Sequence, residues 1–348
     1  MSARRETLTV PPRRRLALAA VIAVAAISGL YVLLPALAGL EDTWERIGRG
    51  DGWLLTAAAA LECLSFLSYV IVFRGVFAGG VVRIDWTASY RITMAGVAAT
   101  RILATAGAGG IVLTVWALDR LGMARREIAA REATFLVLLY GLFMATLVIG
   151  GIGLRTGVLP GPAPFGLTVV PAIFGGTVIA ISLAAATFSR DVDSAADRFE
   201  AADSHGPRIA RALATVPATL ATGVRGALTL IREGRVEALG AAGWWAFDIA
   251  VLAACLHAFG GDPAVSVVVM AYFVGMLANT LPVPGGIGAV DGGMIGALIG
   301  FGVDAGLAIV AVLSYRLFAF WLPIVPGVVA YVQLLRAPPA PAGSGVPG

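Results

Sequence analysis

Five ionisable side chains lie in stretches of sequence that are otherwise apolar. They are Glu62 within TAAAALECLSFLSYV, Arg101 within MAGVAATRILATAG, Asp248 within WWAFDIAVLAA, Asp291 within PVPGGIGAVDGGMIG and Arg316 within VLSYRLFAFW. At the centre of a membrane each such charge costs at least about 2.5 kcal/mol, so these groups face one another or a polar interior rather than lipid. Their chemistry is charge pairing and the binding of charged groups: a carboxylate takes a cation, and a guanidinium makes charge-assisted hydrogen bonds to phosphate or carboxylate oxygens. Glu62 falls about nine residues into its apolar stretch, Asp248 is similarly deep, and Arg316 is about eleven residues into the last one, depths near mid-membrane at about 1.5 Å per residue. Arg74 and Arg91 sit near the ends of their segments, where long side chains snorkel to the interface.

The elements that must position these groups follow from composition. The chain is 59% apolar and 13% charged, with a mean hydropathy of +0.89. A soluble domain carries about 25% charged residues. Several apolar runs reach roughly 20 residues, the length that crosses about 30 Å of hydrocarbon. The expected fold is all-α: a polytopic transmembrane helical bundle with broken or re-entrant helices. Residues 1–15 read as a basic cytoplasmic tail, 16–335 as the membrane domain and 336–348 as a disordered, Pro/Gly-rich tail. Spans are expected over 16–38, 53–77, 133–154, 167–188, 239–259 and 305–335, with shorter apolar pieces at 87–104, 111–121 and 264–281.

All basic residues are arginine, and their placement sets an orientation. With the N-terminal tail inside, the cytoplasmic set contains the 120–131 cluster, the 189–237 loop and Arg336. That places the protein in the cell membrane with both termini cytoplasmic, provided that 87–121 and 264–302 each return to their own side. In the long polar loop, Ile209, Leu213, Val216, Leu220, Val224, Leu228 and Ile231 recur at helical spacing beside Arg208, Arg211, Arg225 and Arg232. This describes an amphipathic helix interrupted at Pro217, suited either to an anionic cytoplasmic leaflet or to the ends of the bundle.

Residues 281–302, LPVPGGIGAVDGGMIGALIGFG, combine two prolines, eight glycines and one carboxylate. Pro282 and Pro284 stop a helix, and Gly285 and Gly286 allow backbone angles closed to other residues, so a helix restarts near Ile287. Such a break must be covered by protein or water, which places residues 282–287, with Gly285 and Gly286, inside the bundle rather than against lipid. Gly288, Gly292, Gly296 and Gly300 fall four apart, a face expected to support close helix packing. An earlier GAGG at 107–110 breaks its segment similarly, and YGLF at 140–143 can be set against YRLF at 315–318. These parallels suggest two inverted repeats with a site between broken helices.

Other chemistries have little support. Cys63 and Cys255 lie in separate apolar segments, and His205 and His257 are isolated, so neither a metal site nor a cofactor is expected. Asp191, Asp193 and Asp197 offer a DVD-type metal motif but equally suit a solvated helix start. Without lysine, the glycine motif cannot be a phosphate-binding nucleotide loop, and nucleic acid is not an expected partner. The first apolar segment is too long for a cleaved signal peptide.

The stretch PVPGGIGAVDGGMIGALIGFGV followed by LSYRLFAFWLPIVPGVVAYVQLLR resembles the C-terminal signature of the lysylphosphatidylglycerol synthase transmembrane, flippase-like family. The matching positions are Pro282 to Gly288, Asp291, Tyr315, Arg316, Trp321, Pro323 and Gly327, with Asp291 standing where the family pattern usually has glutamate. The resemblance covers about 16–335 and implies the membrane part alone. The soluble aminoacyl-transferring domain of the lipid-modifying members has no counterpart after Leu335, so the chain is not expected to be an enzyme of that kind. It implies movement of a lipid or lipid-linked head group, anionic or polyprenyl-phosphate-linked, between leaflets. Asp291, Arg316, Gly285, Gly286, Gly288, Glu62, Arg101 and Asp248 are the expected substrate-binding residues. A membrane-embedded lipid-dependent glycosyltransferase and an accessory scaffold for an envelope-lipid enzyme are the alternatives, and the oligomeric state is left open.

Overall fold

Helices account for most of the described backbone. The computed structural model describes residues 48–78, 82, 84–102, 108–202, 208–280 and 288–336, and contains no strand among them. The expected first span, both tails and the turn at 282–287, with Gly285 and Gly286, lie outside the described residues, as do the side chains of Asp191, Asp193 and Asp197.

In chain order the helices are α1 (Gly52–Phe77), α2 (Trp86–Ile102), α3 (Ala108–Arg120), α4 (Arg125–Arg155), α5 (Phe165–Ala202), α6 (Arg208–Arg232), α7 (Leu239–Ala258), α8 (Val265–Leu277), α9 (Ala289–Gly300), α10 (Ala305–Arg316) and α11 (Ile324–Arg336). Among the described residues, five stretches are long and apolar enough to cross a membrane: Gly52–Phe77, Arg125–Arg155, Phe165–Thr187, Leu239–Ala258 and Ala305–Arg336. Most of these helices are apolar all round, as in a membrane interior. Local signals set their ends. Asp51 accepts the amides of Trp53 and Leu54 at 2.8 and 3.2 Å to start α1, and Asp304 accepts that of Leu307 at 2.9 Å to start α10.

Two pairs of shorter helices interrupt the long ones: α2 with α3, and α8 with α9. Helices of 13 and 12 residues, such as α8 and α9, are about 20 Å and about 18 Å long, less than the hydrocarbon thickness. In each pair the helices pack on one another.

Close packing rests on glycines that bring backbones together. A Cβ at Gly240 would meet the Ser68 carbonyl of α1 at 2.7 Å, and one at Gly327 would meet the Met94 carbonyl of α2 at 2.6 Å. The α8–α9 contact is made by Gly275 and Gly293, with 3.1 Å between a Cβ built at Gly293 and the Gly275 Cα. This corrects the sequence expectation for the stripe. Gly288, Gly292 and Gly296 are exposed, with nothing within 4 Å of a built Cβ, and only Gly300, against Leu167, touches a neighbour. A four-residue period identifies a helix face but not what the face meets.

Two further expectations are revised. Helix α6 runs unbroken from Arg208 to Arg232, through Pro217. It packs against α4 and α5, with Ala221, Val224 and Ala227 buried and Gly223 so close to α4 that an added Cβ would meet the Ala133 carbonyl at 2.7 Å. The last span is not one regular helix. Residues Leu317–Trp321 form a π turn, in which Leu322 bonds back to Leu317 at 3.1 Å. Pro323 follows and lacks the amide that would continue the ladder.

The outside of this unit is apolar. Ile149, Ile152, Phe165, Ile173 and Ile181 on α4 and α5 are exposed, as suits a lipid-facing surface, while Glu62, Asp248, Asp291 and Arg316 are buried.

Candidate functional site

Glu62 is the eleventh residue of α1 and Asp248 the tenth of α7, and these two helices form the most extensive contact in the bundle. Similar depth on adjacent helices brings the two carboxyls together: Glu62, 1% exposed, lies within hydrogen-bonding reach of Asp248, 8% exposed. The α1–α7 seam is drawn tight by Gly240 and by Ser65, whose hydroxyl donates to the Trp244 carbonyl at 3.0 Å.

Tyr272 of α8 donates its hydroxyl to Asp248 Oδ2 at 2.6 Å. Tyr315 of α10 reaches the same carboxyl and the Tyr272 hydroxyl, and the two phenol rings meet edge to face at 6.2 Å. Each tyrosine thus presents an apolar body to the core and a polar tip to the acid.

Arg101, at the end of α2, faces Glu62, Asp248 and Tyr315. Its guanidinium donates to the Phe320 carbonyl at 3.3 Å and lies over the rings of Phe66 and Phe320, 5.4 and 5.7 Å from their centres. The π turn supplies that contact, because it carries Phe320. Phe320 also lies against Arg316, whose guanidinium carbon is 5.3 Å from the ring centre. One aromatic ring therefore separates the two cations.

Arg316 and Asp291 form a buried ion pair, Nε to Oδ1, with side chains 8% and 9% exposed. The other oxygen of Asp291 accepts the Gly288 amide at 3.0 Å. Gly288 has φ of +77°, a left-handed conformation suited to glycine, and α9 starts directly after it. Asp291 therefore has two jobs: it answers the positive start of its own helix and it fixes a cation from the next helix. The amide of Gly288 is already taken by this carboxylate.

Two groups emerge from the sequence-predicted residues: Glu62, Arg101 and Asp248 in one, and Asp291, Arg316 and Gly288 in the other. Arg316 faces Asp248 as well, so the groups are neighbours within one buried cluster. Sequence reasoning missed Tyr272 and Phe320 and gave Tyr315 no role. Tyr272 carries the single polar group in VVVMAYFVGM, a signal of the same kind as the buried acids but weaker, since a tyrosine is at home in apolar sequence.

Among the described residues, two carboxylate oxygens of this cluster have no hydrogen-bond donor: Glu62 Oε2 and Asp248 Oδ1. The arrangement holds opposed charges in an apolar bundle and has acceptor capacity to spare.

Comparison with known proteins agrees with the fold and the motif. The chain is 30% identical over 108 residues to a UPF0104 membrane protein of Methanothermobacter thermautotrophicus, an alignment that covers 30% of this chain and 31% of that relative. The chain thus matches about a third of the length of this relative. The family model for the lysylphosphatidylglycerol synthase TM region matches residues 17–327, most of the sequence, and ends within the first turn of α11. This chain is an integral membrane protein that belongs to the lysylphosphatidylglycerol synthase TM-region family.

Proposed function

We propose that the protein carries a lipid, or a lipid-linked head group, from one leaflet to the other, acting as a carrier rather than as an enzyme. The observation that supports this most is the buried cluster of Glu62, Arg101, Asp248, Asp291 and Arg316, contributed by five helices inside an otherwise apolar bundle. A head group crossing hydrocarbon needs polar partners at depth, while its acyl or prenyl chains stay in lipid. The cluster offers both signs of charge, with two guanidinium groups for phosphate oxygens and acidic oxygens for donors. The two pairs of short helices, each followed by a long one, support an inverted-repeat arrangement around such a site.

The arginine distribution supports cytoplasmic termini in the cell membrane. Arg225 and Arg232 are exposed on α6, away from its packed face, and suit an anionic cytoplasmic leaflet.

The test is a sidedness assay in proteoliposomes with labelled anionic, aminoacylated and polyprenyl-phosphate lipids. Protein-dependent transfer of at least one class is expected, with Asp291→Asn inserted but less stable and much slower, and Asp291→Glu retaining much of the rate. No transfer of any class, together with product formation dependent on metal and sugar nucleotide in the same vesicles, would replace the carrier by a glycosyltransferase.

A further inference from the structure

Carboxyls and guanidinium groups do not balance in the cluster. Three carboxyls, on Glu62, Asp248 and Asp291, face two guanidinium groups, on Arg101 and Arg316. Arg316 is committed to Asp291, and Arg101 spends a hydrogen bond on the Phe320 carbonyl. One negative charge is left over in a region where an unbalanced charge is poorly tolerated.

The surplus can be located. Glu62 and Asp248 are more than nine-tenths buried, lie within hydrogen-bonding reach of each other, and each keeps one oxygen with no donor. What these two oxygens lack is a hydrogen. Two carboxylates this close cannot both stay ionised at low cost.

We infer that Glu62 and Asp248 hold a single exchangeable proton between them, and that this pair is a proton-binding site of the bundle. Its ligand is a proton taken from solvent and returned to it, forming and breaking one carboxyl O–H bond and nothing else. With the proton in place the cluster is neutral.

The groups around the pair fit this role. Tyr272 of α8 donates to Asp248 Oδ2, Tyr315 of α10 reaches the same carboxyl, and Arg101 of α2 and Arg316 of α10 supply positive charge. Cys255, two turns further along α7, faces Glu62. The acid of α4, Glu132, looks instead toward Tyr69, as does Tyr140. The inference deepens the carrier reading, because a proton bound within the proposed path gives transport a means of coupling to a proton gradient. The site itself needs no knowledge of the lipid.

The test is infrared difference spectroscopy of the full-length protein in liposomes, titrated between about pH 5 and about pH 9. Wild type is expected to show at neutral pH a protonated-carboxyl C=O band that shifts in D2O and accounts for one proton per chain. Glu62→Gln and Asp248→Asn each lose it, because the two remaining carboxyls of the cluster then balance the two guanidinium groups. Glu132→Gln keeps this band and serves as the background for both variants, since Glu132 is, among the described residues, the other buried acid with an undonated oxygen. Should the neutral variants fail to fold, Asp248→Glu keeps both carboxyls and is expected to move the band without removing it. A band absent throughout the titration, surviving in both neutral variants, or unmoved in Asp248→Glu overturns the assignment. Lipid transfer without the band overturns the proton site and leaves the carrier; the band without transfer of any lipid supports the site and removes the carrier.

Discussion

Replacing Gly275 and Gly296 by alanine should shift stability in opposite directions, although both are helical glycines in neighbouring elements. At Gly275 of α8 the new Cβ would lie 2.7 Å from the Met294 amide nitrogen and 2.9 Å from its Cα, and backbone cannot rotate away. Helix α9 has to withdraw by about 0.7 Å for that backbone contact to reach an ordinary 3.4 Å. Overpacking of this kind costs about 1–3 kcal/mol, and the higher helix propensity of alanine returns about 1 kcal/mol at most. A net loss of about 1–2 kcal/mol is expected, a fall of a few degrees in the thermal midpoint. At Gly296 of α9 nothing lies within 4 Å of the built Cβ and the position is exposed. There alanine should gain about 0.5–1 kcal/mol, because only the flexibility of glycine is removed. Thermal unfolding of the detergent-purified variants by light scattering measures both. Since α9 also carries Asp291, Gly275→Ala should slow lipid transfer while Gly296→Ala leaves it unchanged. A Gly275→Ala protein as stable as wild type would refute the packing argument. Equal destabilisation at Gly296 would show that the outward glycine face is covered after all.

Three further outcomes are expected. Asp291→Asn and Arg316→Gln should each destabilise by about 3–5 kcal/mol, and the double variant by clearly less than their sum, because each single change strands a buried charge; additive losses in the same thermal assay would mean that the pair is not coupled. Tyr272→Phe removes the 2.6 Å hydrogen bond to Asp248 and should cost about 1.5–3 kcal/mol, the range for a hydrogen bond to a charged group, with normal membrane insertion. Reporter fusions at Ser204 and Gly348 should both read cytoplasmic, and an outside reading at either overturns the arginine-based orientation.

Depth was the part of the site that the sequence made legible. Glu62 and Asp248 stand out as charges about half-way along apolar runs, and equal depth on two packed helices is enough to make them meet. Asp291 and Arg316 were recognisable for the same reason. Partnership was less legible. Nothing in the order of residues says that Tyr272 and Tyr315 converge on Asp248, or that Phe320 lies between two arginines, because those contacts join helices 24 to 219 positions apart. Local rules also lost to packing. Pro217 should break α6, yet the helix continues, held between α4 and α5. The glycine stripe on α9 points outward, while Gly275 and Gly293, which form no long repeat, make the close contact.

The π turn at Leu317–Trp321 has a geometric consequence for the cluster. A π turn holds one residue more than the α-helix around it, and one residue corresponds to about 100° of rotation. Reabsorbing that residue would swing α10 about its axis relative to α11. Helix α11 packs closely on α2, since a Cβ at Gly327 would meet the Met94 carbonyl at 2.6 Å. The rotation therefore falls on Arg316, the last residue of α10, and would carry its guanidinium off Asp291 toward another face of the bundle. The turn sits one residue from Arg316 and divides the last span into two segments with separate packing, α10 against α7 and α9, and α11 against α2.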